Sequence, residues 1–135
     1  MAERENVQAV QRVLAAFQRG DLQQVLDCCS DDITVQNPMP MDAWPGAGAV
    51  QGKKRFSEFL TGLASVAEFE QFEPREFIAQ RDKVVVNVFE RARYKATGRA
   101  VDNDYVHIYT MRDGKITALR IFEDTAPLLA GMRSA

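Results

Sequence analysis

The chain carries few side chains that can do metal-centred or nucleophilic chemistry. It has a single histidine, His107, and two cysteines, the adjacent pair Cys28 and Cys29. Zinc sites draw three or four ligands from His, Cys and carboxylates, so a transition-metal site built on His and Cys is nearly excluded. Val25 and Leu26 precede the cysteines, and the pattern predicts two small buried apolar residues on a helix. What remains is proton transfer by histidine and carboxylates.

Length and charge restrict the function further. The 135 residues are 46% hydrophobic, and 17 basic against 19 acidic side chains give a net charge of −2. This composition is typical of one globular domain, residues 1–135, too short for a separate cofactor domain, so we expect no cofactor. The interspersed charges lack the basic footprint of a nucleic-acid partner. No apolar segment approaches a membrane span, and the N-terminus lacks a signal-peptide pattern, which predicts a cytoplasmic location.

Apolar spacing predicts three helices followed by strands. We expect helices over 4–19, over a short segment from Leu22 and over 52–65, a short strand over 33–35, a Pro- and Gly-rich loop over 38–52, and four strands within 69–78, 83–94, 100–112 and 115–123. Short turns make the last four strands antiparallel neighbours. The fold class is therefore α+β, with three N-terminal helices packed on one face of an antiparallel sheet.

One carboxylate interrupts the apolar face of the second of these strands. Glu90 follows Val88 with the same parity, and Tyr105 and His107 share the more polar face of the next strand. If residues 97 and 98 form the centre of the turn, Glu90 lies opposite Tyr105 and Val88 opposite His107. Glu90 and His107 are then diagonal neighbours on one face.

A carboxylate beside an imidazole is a means of making a base near neutral pH. Glu90 would raise the pKa of His107 and fix its tautomer. In the alternative interpretation, Glu90 reaches solvent at a strand end and His107 is a hydrogen-bonded core residue. The aliphatic opposite face of the strand at 100–112 indicates that the outer face of the sheet is also covered, which predicts a homodimer through that face.

Several motifs together resemble the nuclear-transport-factor-2-like superfamily, in its SnoaL-like and ketosteroid-isomerase-like branch. They are Arg19-Gly20-Asp21-Leu22, Asp31-Asp32-Ile33-Thr34-Val35-Gln36-Asn37-Pro38, Asn103-Asp104-Tyr105-Val106-His107-Ile108-Tyr109, Arg112-Asp113-Gly114-Lys115-Ile116 and Arg120-Ile121-Phe122-Glu123-Asp124-Thr125-Ala126. Their order spans nearly the whole chain. The resemblance implies a curved sheet around a long helix that encloses a conical pocket, a cystatin-like α+β cone, usually in a dimer.

The chain departs from the relatives at the positions that carry their chemistry. Asn37 stands where ketosteroid isomerases have their catalytic aspartate, and an amide cannot accept a proton at neutral pH. Val13 and His107 stand at the positions of their oxyanion pair, so steroid isomerisation by that mechanism is not expected. Limonene-epoxide-hydrolase relatives look similar around Asn37 but have an acid where this chain has Ile121, and Glu123 lies two residues further on.

The resulting hypothesis is a cofactor-free enzyme that does acid/base chemistry on a small hydrophobic, oxygenated molecule. The predicted catalytic residues are His107, Glu90, Asn37 and Tyr105. The predicted substrate-binding residues are Val13, Phe17, Trp44, Phe56, Leu60, Val88, Tyr109 and Glu123. The reaction would be isomerisation, cyclisation or water addition such as epoxide opening. The alternative is a small-molecule-binding or dimeric scaffold protein without catalysis, since this fold hosts both.

Overall fold

The computed structural model describes residues 2–133, which form four helices and a six-stranded sheet. The elements are α1 (Ala2–Gln18), α2 (Leu22–Asp27), β1 (Cys29–Gln36), β2 (Val50–Gln51), α3 (Lys53–Val66), β3 (Ala67–Gln80), β4 (Lys83–Tyr94), β5 (Ala100–Arg112), β6 (Lys115–Phe122) and α4 (Thr125–Met132). The predicted α+β class is confirmed, and the long predicted helices and strands agree with the structure to within about two residues.

The sheet is curved and mixed rather than wholly antiparallel. Its strand order is β2-β1-β6-β5-β4-β3, and β1 runs parallel to β6, with Val35 beside Leu119. The predicted antiparallel arrangement of the last four strands is confirmed in β3–β6. The parallel pairing of β1 with β6 was not predicted, because β1 reaches β6 through a long connection that contains α3 and the β3–β5 meander. Short turns fix only the pairing of neighbours in sequence.

The helices cover the concave face of the sheet, and α4 was not predicted. Pro127 and Gly131 lie within this eight-residue helix, and both residue types normally signal a break. Pro127 is tolerated because it lies in the first turn, where its missing N–H has no intrahelical acceptor. Asp124 caps the helix by accepting a hydrogen bond from the backbone N–H of Ala126. The helix packs against the sheet with Leu128 and Gly131, which are its buried residues.

The cysteines are only partly as predicted. Cys29 is buried, but it begins β1 instead of lying on a helix, and half-buried Cys28 is the C-cap of α2. Burial raises the pKa of the Cys29 thiol to about 12, which keeps it protonated and unreactive.

The β4–β5 register differs from the predicted one by two residues. Glu90 lies opposite Asn103, and Val86, not Val88, lies opposite His107. The expected central pair at 97 and 98 was wrong because the hairpin has a longer loop, closed by the backbone N–H of Tyr94, which donates to the carbonyl of residue 99. Two hydrogen bonds also hold this loop to α4. The Thr97 hydroxyl donates to the backbone carbonyl of Gly131, and the Arg99 guanidinium donates to the backbone carbonyl of Ala130. Because α4 was not predicted, these two hydrogen bonds were not predicted either.

The loop between β1 and β2 packs on α3. Trp44 is 5% exposed, and its indole N–H donates to the backbone carbonyl of Phe59 at 3.3 Å. A Cβ at Gly46 would lie 2.7 Å from the carbonyl oxygen of Glu58, and a Cβ at Gly62 would overlap the carbonyl of Pro45. The loop is therefore folded onto the core.

Gly62→Ala should therefore destabilise the protein, although alanine normally favours a helix by about 1 kcal/mol over glycine. The methyl group has no space unless the loop or α3 shifts, and overpacking of this kind costs about 1–3 kcal/mol. Urea unfolding of the variant, with exposed Thr61→Ala on the same helix as control, measures the change. A stabilised Gly62→Ala variant would contradict the close contact between loop and helix.

Candidate active site

A cavity of about 110 Å³ lies between α1, α3, α4 and the concave face of the sheet. Its wall includes the predicted residues Val13, Phe17, Asn37, Trp44, Phe56, Leu60, Glu90, Tyr105, His107, Tyr109 and Glu123. Val88 is the exception, because it is fully enclosed in the core and does not line the cavity. A dry apolar cavity of roughly 150 Å³ holds benzene, so this smaller volume accommodates one ring at most.

Glu90 is the carboxylate best placed for proton transfer. It is 6% exposed, and the Tyr105 hydroxyl donates a hydrogen bond of 2.6 Å to its Oε1 atom. The pKa of Glu90 is raised to about 7, mainly by burial and to a smaller extent by the nearby Glu123, while the hydrogen bonds from the Tyr105 hydroxyl and the Asn103 amide counteract the rise. A carboxyl group with this pKa is present in both protonation states near neutral pH.

A second carboxylate lies close to the first. The Asn103 amide donates to Glu123 Oε2 at 2.9 Å, and Asn103 itself faces Glu90 across the β4–β5 pair. Burial raises the pKa of Glu123, and the hydrogen bond from Asn103 partly offsets that rise. Asn103 therefore separates the buried Glu90 from the half-buried Glu123, an arrangement in which ionisation of one acid disfavours ionisation of the other.

His107 does not pair with Glu90. It lies four residues from Asn103 along β5, roughly 13 Å, and its Nδ1 atom is 2.9 Å from the Tyr109 hydroxyl oxygen. Burial lowers the pKa of His107 to about 4, the opposite of the rise expected from a neighbouring carboxylate. The predicted Glu90–His107 contact was wrong because it followed from the wrong register. At neutral pH His107 is an uncharged imidazole.

The tautomer of His107 is coupled to its contact with Tyr109. Within residues 2–133 the Tyr109 hydroxyl has Nδ1 of His107 as its hydrogen-bond partner. In the tautomer in which Nδ1 accepts the hydroxyl proton, the imidazole proton lies on Nε2. An Nε2–H group in the cavity wall is a donor for a ligand oxygen.

Asn37 presents a second donor to the cavity. Its Oδ1 atom accepts a hydrogen bond of 2.7 Å from the backbone N–H of Met39, which assigns the other end of the amide as the NH₂ group. Asn37 follows Gln36, which lies beside Arg120, and the next residue of β6, Ile121, lies beside His107. Asn37 and His107 are thus on one row across the sheet.

The sequence-based set omitted Tyr94 and the α4 residues Leu128 and Met132, which line the cavity. It also omitted Asn103, which lies between Glu90 and Glu123. Asn103 has the same parity as Tyr105, so the sequence placed it on the same face of the strand. The predicted register, however, put Tyr105 and not Asn103 opposite Glu90. Tyr94 is the last residue of the apolar face that Glu90 interrupts, so its parity alone places it on the cavity side of β4.

Neither a metal cluster nor a bilayer-spanning segment is found in the part of the chain that the structure describes. No three His, Cys, Asp or Glu side chains among residues 2–133 are arranged to hold a metal ion. No helix within the same range has the length and apolar character needed to cross a membrane.

Comparison with known proteins gives a consistent set of relatives. An NTF2-like protein from Burkholderia xenovorans LB400 is 34% identical over 98% of this chain and 99% of its own, with a TM-score of 0.87. TerC, co-crystallised with polyporic acid, is 30% identical over 96% of this chain and 99% of its own, with a TM-score of 0.85. No curated protein sequence matches the chain.

A more distant structure shows the same fold. An LEH-like epoxide hydrolase from M. tuberculosis is 20% identical over 98% of this chain and 92% of its own, with a TM-score of 0.77. Residues 10–119 match the family model of the SnoaL-like domain. The chain therefore belongs to the SnoaL-like family and has the NTF2-like fold.

Proposed function

We propose that the protein is an enzyme that moves protons on a small, apolar, oxygenated molecule, and that it uses no cofactor. The observation that carries this proposal is Glu90, a buried carboxyl group in the wall of an apolar cavity with a pKa of about 7. Ionised Glu90 removes a proton from carbon, and the resulting acid returns it. The Tyr105 hydroxyl holds the carboxylate in place throughout.

The substrate oxygen binds at the other end of the cavity. The Nε2–H group of His107 and the NH₂ group of Asn37 are two neutral donors on one row of the wall. When a carbon of a conjugated ring loses its proton to Glu90, the negative charge is delocalised onto an oxygen on the far side of the ring, and this charge strengthens both hydrogen bonds. His107 thus acts as an electrophile, and its low pKa keeps it uncharged while it does so.

Isomerisation or ring closure by proton shift fits this arrangement better than water addition. One carboxyl group can both take and return a proton, and most of the wall is aliphatic or aromatic. The 30% identical relative TerC was co-crystallised with polyporic acid, which supports a small organic ligand for this chain as well. The polar groups available to fix such a ligand are few, as in most small-molecule sites.

A pH–rate profile with a small aromatic probe tests the proposal. The ring opening of 5-nitrobenzisoxazole needs only the removal of one carbon-bound proton, so its rate reports on the base. We expect catalysis to rise with pH to a plateau, with a midpoint near 7, the pKa of Glu90. A midpoint near 4 would assign proton transfer to His107 instead. No rate above that of buffer would favour a binding protein without catalysis.

We also propose that two copies of the chain pair through the outer face of the sheet. An apolar patch there consists of Val85, Phe89, Val106, Ile108 and Phe122. Phe122 is 47% exposed, and the exposed pair of Arg91 and Asp102 beside the patch supplies both signs of charge for a symmetric contact. Light scattering should give a dimer, and Ile108→Glu should give a monomer with an intact fold. A monomeric wild type would contradict this proposal.

A further inference from the structure

A groove on the surface adjoins the cavity. It has a volume of about 530 Å³ and lies between the end of α1, the start of α2, α3 and β3. Six of the residues that line it also line the cavity, namely Phe17, Leu60, Leu63, Ala67, Phe69 and Phe72. The groove and the cavity are therefore separated by a single layer of side chains.

Three phenylalanines form the centre of this layer. Phe17 lies 5.5 Å from Phe69 and 5.0 Å from Phe72, and Phe69 lies 6.3 Å from Phe72, measured between ring centroids. Phe17 and Phe69 are half-buried, and Phe72 is 9% exposed. Their rings touch through edges and tilted faces, so rotation of side chains alone opens a path without any change in the backbone.

The layer lies at the end of the cavity that contains the proposed base. Phe72 is the cross-strand neighbour of Glu90, and Phe69 is the neighbour of Ala92, which also lines the cavity. A molecule that passes between the rings arrives beside the Glu90 carboxylate before it reaches His107.

The floor of the groove is apolar, and its charged groups have partners elsewhere. Leu22 and Ala64 belong to the groove and not to the cavity. The exposed guanidinium of Arg19 lies 3.9 Å from the Asp21 carboxylate, and the Glu70 carboxylate accepts a hydrogen bond of 2.9 Å from Arg93. Such a surface favours an uncharged hydrocarbon chain over a charged tail.

We propose that this groove is the entrance to the cavity and a second binding subsite, and that the substrate is a ring with an extended apolar chain. The ring occupies the cavity beside Glu90, and the chain passes the three phenylalanines and lies in the groove. The inference rests on the proposed function and adds the substrate class to it. Gln18 limits the width of the opening, because its side-chain amide donates to the backbone carbonyl of Phe72 and ties α1 to β3.

Binding of phenol, 4-propylphenol and 4-hexylphenol tests the inference by calorimetry. Each fully buried methylene contributes roughly fourfold in affinity, so hexylphenol should bind at least about tenfold more tightly than propylphenol. Ala64→Trp fills the groove and should abolish this gain, whereas phenol, which does not reach the groove once bound, should keep its equilibrium affinity and only bind more slowly. Thr61→Trp, an exposed position on α3 outside both the groove and the cavity, should keep the full gain.

Leu22→Glu is a second variant, which changes the charge of the groove and does not fill it. A carboxylate on the groove floor should weaken hexylphenol binding and leave phenol binding unchanged. Wild-type protein that binds phenol but gains nothing from a longer chain would overturn the groove inference and leave the proposed function standing. Equal affinity of Ala64→Trp and wild type for hexylphenol would overturn it too. Failure of all three phenols to bind would overturn both proposals.

Discussion

Glu90→Gln should slow proton transfer from 5-nitrobenzisoxazole by about 10²–10⁴-fold, the usual contribution of a positioned general base. Glutamine keeps the size of the side chain and an oxygen that accepts the hydrogen bond from Tyr105, but it cannot take a proton. Glu76→Gln, at an exposed position on β3, is the matched control and should retain wild-type activity. Unchanged catalysis in Glu90→Gln would remove Glu90 from its proposed role.

The same variant should gain stability at alkaline pH. Because the pKa of Glu90 is raised from 4.5 to about 7, the folded state holds the proton more tightly than the unfolded state. Below about pH 4.5 Glu90 is protonated in both states, so it does not reduce the free energy of unfolding. As pH rises through 7, ionisation of Glu90 reduces the free energy of unfolding by up to about 3 kcal/mol. Apart from a pH-independent offset, Glu90→Gln should exceed wild type in unfolding free energy by this amount near pH 8.5. A constant difference at all pH values would contradict a raised pKa.

His107→Asn should change the stability at acidic pH, with the opposite sign of pH dependence. The folded state keeps His107 neutral down to about pH 4, whereas the unfolded chain binds the proton near 6.5. His107 therefore makes its full contribution to the free energy of unfolding above pH 6.5. This contribution, about 3 kcal/mol, is lost as pH falls towards 4. Asparagine places an amide near the Nδ1 position, within reach of Tyr109, and does not titrate.

Denaturant unfolding at a series of pH values measures this difference. The unfolding free energy of His107→Asn relative to wild type should increase by about 3 kcal/mol between pH 7 and pH 4. Wild type should show little net dependence on these two groups between pH 4.5 and 6.5, because the Glu90 and His107 contributions run in opposite directions there. A relative stability that does not vary with pH would show that His107 is not held neutral by burial.

The fold was predictable because hydrophobic spacing is a local signal. The stripe of α1 and the alternation in β4 and β5 follow from the side chains that each element buries. The parallel contact of β1 with β6 and the whole of α4 depend on contacts between distant parts of the chain, and Pro127 and Gly131 conceal α4 locally. The β4–β5 register failed for the same reason, since the Thr97 hydroxyl holds the loop to an element that local patterns do not reveal.

The candidate site was predictable as a set of residues but not as a set of contacts. Face parity identified Glu90, Tyr105 and His107 as neighbours of one cavity, and the structure brings all three to its wall. A shift of two residues in register leaves parity unchanged but replaces every cross-strand partner. Glu90 therefore contacts Tyr105 and faces Asn103, while His107 contacts Tyr109. The directions of the pKa shifts depend on burial in three dimensions, so they were not accessible from the sequence.

Direct titration of the Glu90 carboxyl group is the most direct test of the proposed chemistry. Carbon-13 NMR of protein labelled at the glutamate carboxyl carbon follows each group individually, and Glu90→Gln assigns the resonance that it removes. We expect this resonance to titrate with a pKa of about 7. Titration near 4.5, the value of an ordinary glutamate, would contradict the proposal that Glu90 is a base adapted to neutral pH.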